Sequence, residues 1–328
     1  LQISATSQDF DAVITATENM LRFRSLQVAL TDLDRSADTA FVALRLTNLA
    51  GHKFPSGYPA RRAFVSLVVQ TAEGDTLFHS GEYDSNYELT GHDPSYEPHY
   101  ATIRSADEVQ IYEQVLGDVN NQKTTVLVRA ASALKDNRIP PKGFSQNHSV
   151  YDTTRIAGEA LFDTDFNVDE LGEGSGSDVV YYHIPTQGYL DELQITATVY
   201  YQSMPPEWMA EMFAESTPEI DRFLEMFNEA ERTPSLVGVD ELTMAGIVGL
   251  QPTQPKLDAA VFLTSGRQLV VQTPVASELT IYNYLGQQLQ QQRLPAGSSN
   301  VPLSFKRQII IVHLNSPEGT FTRTLWVN

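Results

Sequence analysis

Hydrophobic and polar positions alternate with a period of two over much of this chain, the signature of strands with one face buried. Residues 41–49 and 63–69 are rich in apolar and β-branched side chains, and the stronger runs 178–184 and 192–203 read VVYYHI and LQITATVYY. Further strands are predicted over 26–33, 76–80, 109–116, 124–130 and part of 149–161. Ala72-Glu73-Gly74-Asp75 supplies a four-residue hairpin turn before 76–80. A period of 3.6 occurs three times. Asp9 is placed to cap a helix over 10–23 with Ala12, Val13, Ala16, Met20, Leu21 and Phe23 on its apolar stripe. Two shorter helices are predicted over 206–214 and 218–231, each with Pro in its first turn, and Ile220, Phe223, Leu224 and Phe227 face a core. The Gln251-Pro-Thr-Gln-Pro255 run has a linker composition, and 257–328 is again strand and turn.

These elements predict a mainly β protein: a large Ig-like or jelly-roll-type β-sandwich with a few helices, plus a small C-terminal β-sandwich. The expected boundaries are an N-terminal helix (1–24), a sandwich (25–204), a helical segment (205–250), a linker (251–256) and the second sandwich (257–328).

Between the predicted strands 41–49 and 63–69, Gly51, Pro55, Gly57 and Pro59 break any regular element. This stiff loop carries His52, Lys53, Phe54, Tyr58, Arg61 and Arg62, and side-chain-rich loops on a sheet scaffold are common functional sites. A second irregular stretch, 81–104, is crowded with Tyr, His, Asp and Pro, and its length suits an interaction surface.

Composition narrows the chemistry. The 328 residues carry 22 Lys plus Arg against 41 Asp plus Glu, a formal charge of -19. That excess repels phosphate backbones and disfavours nucleic acid as a partner. No apolar run is long enough to span a bilayer, so no transmembrane segment is expected. Cysteine is absent, which removes disulfides, thiolate metal sites, catalytic thiols and covalent haem attachment through Cys-x-x-Cys-His. Gly-x-Ser-x-Gly, His-Glu-x-x-His and phosphate-loop patterns are missing, and no enzymatic activity is expected.

Four motifs, GHKFPSGYPARRA (51–63), EPHY (97–100), EVQIYE (108–113) and KDNRIPPKGF (135–144), resemble the haem-free C-terminal β-region of bacterial multihaem c-type cytochromes over about residues 10–202. The hairpin LTIYNYLGQQL (279–289) resembles the C-terminal sorting domain of type IX secretion substrates, without its usual Tyr-Pro-Asn-Pro opening or terminal Lys pair. The resemblances imply a secreted protein, extracellular or at the outer-membrane surface. It would scaffold or shield haem c carried by an upstream or partner cytochrome domain, with self-assembly into a filament one form of this. A start at Leu1 fits a processed or truncated chain. The helix over 10–23 would pack on a haem domain or on this chain's own sheet.

Site expectations follow. His52, and less clearly His99, could ligate haem iron or could lock their own loops. Arg61 and Arg62 could grip haem propionates or clamp the loop onto Glu97, Asp107, Glu108 or Glu113. Asp163, Asp165, Asn167 and Asp169 place oxygen donors at alternate positions, as calcium (Ca2+) loops do, but lack the EF-hand glycine. The other class of function is a surface adhesion or carbohydrate-binding module, with the aromatics of 83–100 stacking on sugar rings.

Overall fold

The computed structural model describes residues 5–93, 95–151, 155–247, 257–264, 268–283, 286–305 and 308–327. The chain divides into two units, Leu1–Val248 and Gly249–Asn328. The expected linker, 251–256, lies outside the described residues.

In the first unit, helix α1 (Ser7–Arg24) precedes strands β1 (Leu26–Arg35), β2 (Thr39–Asn48), β3 (Arg62–Thr71) and β4 (Thr76–Ser80). Short strands follow: β5 (Thr102–Ile103), β6 (Ile111–Tyr112), β7 (Gln114–Gly117), β8 (Ser132–Asp136), β9 (Val168–Asp169) and β10 (Gly172–Glu173). The unit closes with β11 (Ser177–Pro185), β12 (Leu193–Gln202), helices α2 (Pro206–Phe213) and α3 (Pro218–Glu229), and β13 (Ser235–Met244).

One sheet has the order β1-β2-β11-β5; the other runs β13-β12-β3-β4, with β6 also pairing β3. The period-two pattern decides the layers. Ala40, Val42, Leu44 and Leu46 of β2 and Val180, Tyr182 and Ile184 of β11 point into one core. Ala63, Val65, Leu67 and Val69 of β3 and Leu193, Ile195, Ala197 and Val199 of β12 meet them there. The result is a β-sandwich.

Three expected elements differ. Residues 235–244, placed in a helical segment, form the edge strand β13 on β12; buried or half-buried positions alternate with exposed ones from Gly238 to Met244, which suits a strand. Residues 124–130 make no strand but a 3-10 turn at Leu127–Arg129. Thr125 there spends its N–H on Glu211 of α2 (2.9 Å), and β7 pairs β8 instead. Between 149 and 161 the described residues hold 3-10 turns at Ser149–Tyr151 and Glu159–Leu161; Gly158, at φ 79°, sets the second.

Asp9 caps α1 from within. Thr6 is the N-cap, accepting from Asp9 N (3.3 Å) while Asp9 Oδ2 accepts from Thr6 N (2.7 Å). Leu21 packs against the sandwich core, whereas Phe10, Val13, Ile14, Met20 and Phe23 are exposed.

The second unit contains β14 (Ala260–Leu263), β15 (Gln268–Thr273), β16 (Ser277–Asn283), β17 (Gln288–Leu294), β18 (Gly297–Pro302), β19 (Gln308–Ser316) and β20 (Gly319–Val327). Sheets β14-β15-β18 and β17-β16-β19-β20 enclose Val261, Leu269, Val271, Ile281, Ile310 and Val312, the expected small sandwich. No helix among the described residues is long and apolar enough to cross a membrane.

Candidate functional site

The loop between β2 and β3 is a crown fastened at both ends. Phe54 and Ile139 exchange backbone hydrogen bonds (2.9 and 2.8 Å), and the Phe54-Pro55 bond is cis. Buried Asn48 donates to His52 O (2.7 Å) and Ile139 O (2.9 Å), so one amide ties the loop to the KDNRIPPKGF segment. Arg61 folds back onto Ser56 O (2.9 Å). Its guanidinium lies over Gly57 (φ 79°), where a Cβ would come within 2.6 Å of Nη1.

His52 is exposed at the rim of this crown. Its Nδ1 lies 3.0 Å from Lys53 O. A carbonyl only accepts, so Nδ1 carries the proton and Nε2 keeps its lone pair. That is the tautomer a metal-binding imidazole adopts when its other nitrogen is held by a backbone carbonyl. With Lys53, Ser56, Arg138, Pro141 and Phe144, His52 lines an open cavity of about 310 Å³.

His99 has the opposite fate. It is buried, and Gln110 Nε2 (2.9 Å) and Asn137 Nδ2 (3.2 Å) both approach Nδ1. Neither amide can turn over. Gln110 Oε1 accepts from Tyr100 N (3.0 Å), and Asn137 Oδ1 accepts from Glu113 N (3.0 Å). Nδ1 must therefore accept, the proton sits on Nε2, and Nε2 donates to Asp163 Oδ2 (3.0 Å). Both ring nitrogens are spent, so the expected haem ligation by His99 is not supported by its surroundings. Although His99, Asp163 and Asp178 cluster closely, that proton occupies the place a cation would need. Asp178 is fully buried, and burial raises its pKa. Its Oδ2 accepts from Tyr112 Oη (2.6 Å), while Asp178 Oδ1 and the Tyr182 hydroxyl are buried without partners.

The acidic run is not gathered around one point. Asp163 serves His99, and Asn167, at φ 58°, donates to Phe144 O (3.0 Å) and accepts from Gly176 N (3.2 Å). Asp169 Oδ1 accepts from Leu171 N (2.8 Å), and Asp165 faces Tyr181. Asp163, Asp165 and Asp169 form no common cation cage; the alternation serves turns instead.

Arg62 is a clamp, with different partners from those expected. Its side chain is 2% exposed; Nε donates to Gln202 Oε1 (2.7 Å), Nη2 pairs with Glu88 (2.5 Å), and Nη1 faces Glu207 at 3.8 Å. Lys123 also pairs with Glu207. The grouping of Glu88, His92 and Glu207 is thus already neutralised by Arg62 and Lys123. Glu113 pairs with buried Lys135 (3.0 Å), and Glu97 accepts from Val109 N (3.0 Å), Tyr100 Oη (2.9 Å) and Asp93 N (2.6 Å).

Tyr83 and Tyr87 of the 83–100 stretch are half-buried and pack on their neighbours. Tyr83 contacts Phe64 and Tyr200 edge-on and stacks with Tyr87 at 6.5 Å between centroids, and Arg232 covers Tyr87.

Sequence reasoning missed Lys53, Asp136 and Arg138 as a group. All three lie inside the motifs, and Asp136-Asn137-Arg138 flanked by Lys and Pro was the available signal.

No family model matches the chain, and no curated protein is similar to it. Among solved structures, a penta-haem cytochrome c552 from Thermochromatium tepidum is 17% identical with a TM-score of 0.40, over 69% of this chain and 41% of that one. The CD2-binding domain of CD58 is 11% identical (TM-score 0.19, 54% of this chain and 77% of that one). The BSP domain of a biofilm-associated protein is 9% identical (TM-score 0.19, 98% and 70%). The chain spans about two fifths of the length of the cytochrome, and at these TM-scores none of the likenesses carries an inference about its function.

Proposed function

We propose that this protein is a non-catalytic, secreted β-sandwich component of an extracellular multihaem cytochrome assembly, in which the crown presents His52 toward haem carried by another domain or subunit. The observation that carries the reading is the Nδ1-protonated tautomer of His52, set by Lys53 O at 3.0 Å, on an exposed ring. An imidazole so fixed offers Nε2 outward with little orientational entropy left to lose. A cavity of about 310 Å³ is at the small end of ligand pockets and does not enclose a haem. The iron would supply the redox chemistry, while this chain orients one nitrogen and shields one face.

The remaining polar motif residues support the scaffold half of the reading. Arg62, Glu97, His99, Gln110, Lys135 and Asn137, with Asn48 at the end of β2, are buried and committed to hydrogen bonds or ion pairs within the sandwich. They hold the crown rather than line a cleft.

Ferric haem titrated into the purified chain tests this, with His313→Ala as a surface-histidine control. The reading expects a histidine-ligated haem spectrum that His52→Ala abolishes and His313→Ala leaves intact. A spectrum insensitive to His52→Ala rejects it.

A further inference from the structure

Beneath the crown the charges do not balance. Buried Asp136 takes the Lys53 ammonium on Oδ2 (3.0 Å) and the Arg138 guanidinium on both oxygens, Nε to Oδ1 (2.9 Å) and Nη2 to Oδ2 (2.7 Å). One carboxylate faces two cations. Nearby acids are engaged elsewhere: Glu113 holds Lys135, and Glu173 accepts from Ser145 Oγ (2.8 Å) and Gln146 N (2.6 Å). In a chain of net charge -19, a half-covered surplus of positive charge is out of keeping with its surroundings.

Donors remain at the same place. Lys53 Nζ has three N–H groups; Asp136 and Arg155 O (3.1 Å) take two, and the ammonium also lies 5.7 Å from the centroid of the Phe144 ring. Arg138 Nη1 has no partner among the described residues, since Asp136 takes only the Nε and Nη2 edge. Lys53 and Arg138 line the 310 Å³ cavity, together with apolar Pro141 and Phe144. Burial and the Arg138 charge push the Lys53 pKa down, against Asp136; a second anion would oppose both.

We infer that this cavity binds a small organic carboxylate with an apolar body, its oxygens on Lys53 Nζ and Arg138 Nη1 and its body against Phe144 and Pro141. The site adjoins His52 but does not depend on haem ligation. A free aromatic acid and the carboxylate edge of a larger pigment share this chemistry, and the test separates them.

Calorimetric titration of the full chain with benzoate, and with benzamide as its neutral counterpart, is the experiment. One equivalent of benzoate should bind and benzamide should not. Arg138→Gln leaves Lys53 and Asp136 as a balanced pair, so the fold should hold while benzoate binding weakens about tenfold or more. Asp136→Asn enlarges the surplus, so this variant should be less stable alone and regain melting temperature when benzoate is added. Equal binding of benzoate and benzamide, no binding of either, or Arg138→Gln binding as wild type with no benzoate rescue of Asp136→Asn overturns the inference. Benzoate binding with no His52-dependent haem spectrum keeps the carboxylate site and rejects haem ligation; the converse keeps haem ligation and rejects this site.

Discussion

Arg62→Met tests the claim that the second arginine of the crown is a clamp rather than a grip for an external anion. The substitution keeps most of the volume and removes the charge from a side chain that is 2% exposed. Three partners are affected. Gln202 Oε1 loses its donor at 2.7 Å. Glu88 loses its cation at 2.5 Å but keeps Leu89 N (3.0 Å) on Oε1 and Glu207 N (2.8 Å) on Oε2. Glu207 keeps Lys123. Breaking a buried pair from one side costs about 3–5 kcal/mol, and the surviving partners place this case near the lower end, about 3 kcal/mol. Trp208 sits beside Glu207 at the start of α2, and the chain's other tryptophan, Trp326, lies in the second unit. Urea unfolding of a Trp326→Phe background, followed by fluorescence, therefore reports this unit alone. With an m-value of about 2 kcal/mol/M, the midpoint should fall by about 1.5 M. Arg62→Lys should recover less than half, because an ammonium cannot span three partners. A loss below about 1 kcal/mol for Arg62→Met would refute the clamp.

Two further outcomes follow from the buried network. Tyr182→Phe removes a hydroxyl that is buried without a partner and should leave stability unchanged or raise it by about 1 kcal/mol, whereas Tyr112→Phe, which breaks the 2.6 Å bond to Asp178, should cost about 1.5–3 kcal/mol in the same unfolding assay. Burial raises the Glu207 pKa, but His92, Lys123 and Arg62 outweigh it and hold the carboxyl at about 2, below its ordinary 4.5. Because the folded value is depressed, this stabilisation is complete above about pH 4.5 and is lost as pH falls toward 2. Its upper bound is about 3 kcal/mol. Glu207→Gln should flatten the acid limb of stability against pH in that window, and an unchanged limb would contradict the assignment.

The sandwich was legible because β2, β3, β11 and β12 each bury one face, so their period of two is written in Ala, Val, Leu and Ile. Strand β13 was less so: Asp240 and Glu241 interrupt its alternation, and Asp240 turns out to accept from Leu30 N of β1 (2.7 Å). The stiffness of the crown and the presence of His52 were readable from Gly and Pro spacing. Which nitrogen of His99 carries the proton was not, because its partners lie 11, 38 and 64 residues away in sequence, joined by loops with no period. The acidic run of 163–169 was ambiguous for a related reason. Alternate oxygens look alike whether they wrap an ion or cap turns, and only the backbone partners of Asn167 tell the two apart.

The visible absorption spectrum of the complex purified from the cells that make it, wild type beside His52→Ala, tests the central claim most directly. The account predicts a haem band that co-elutes with the chain and changes ligation or is lost in the variant. A colourless wild-type protein, or a haem band identical in both, would contradict it.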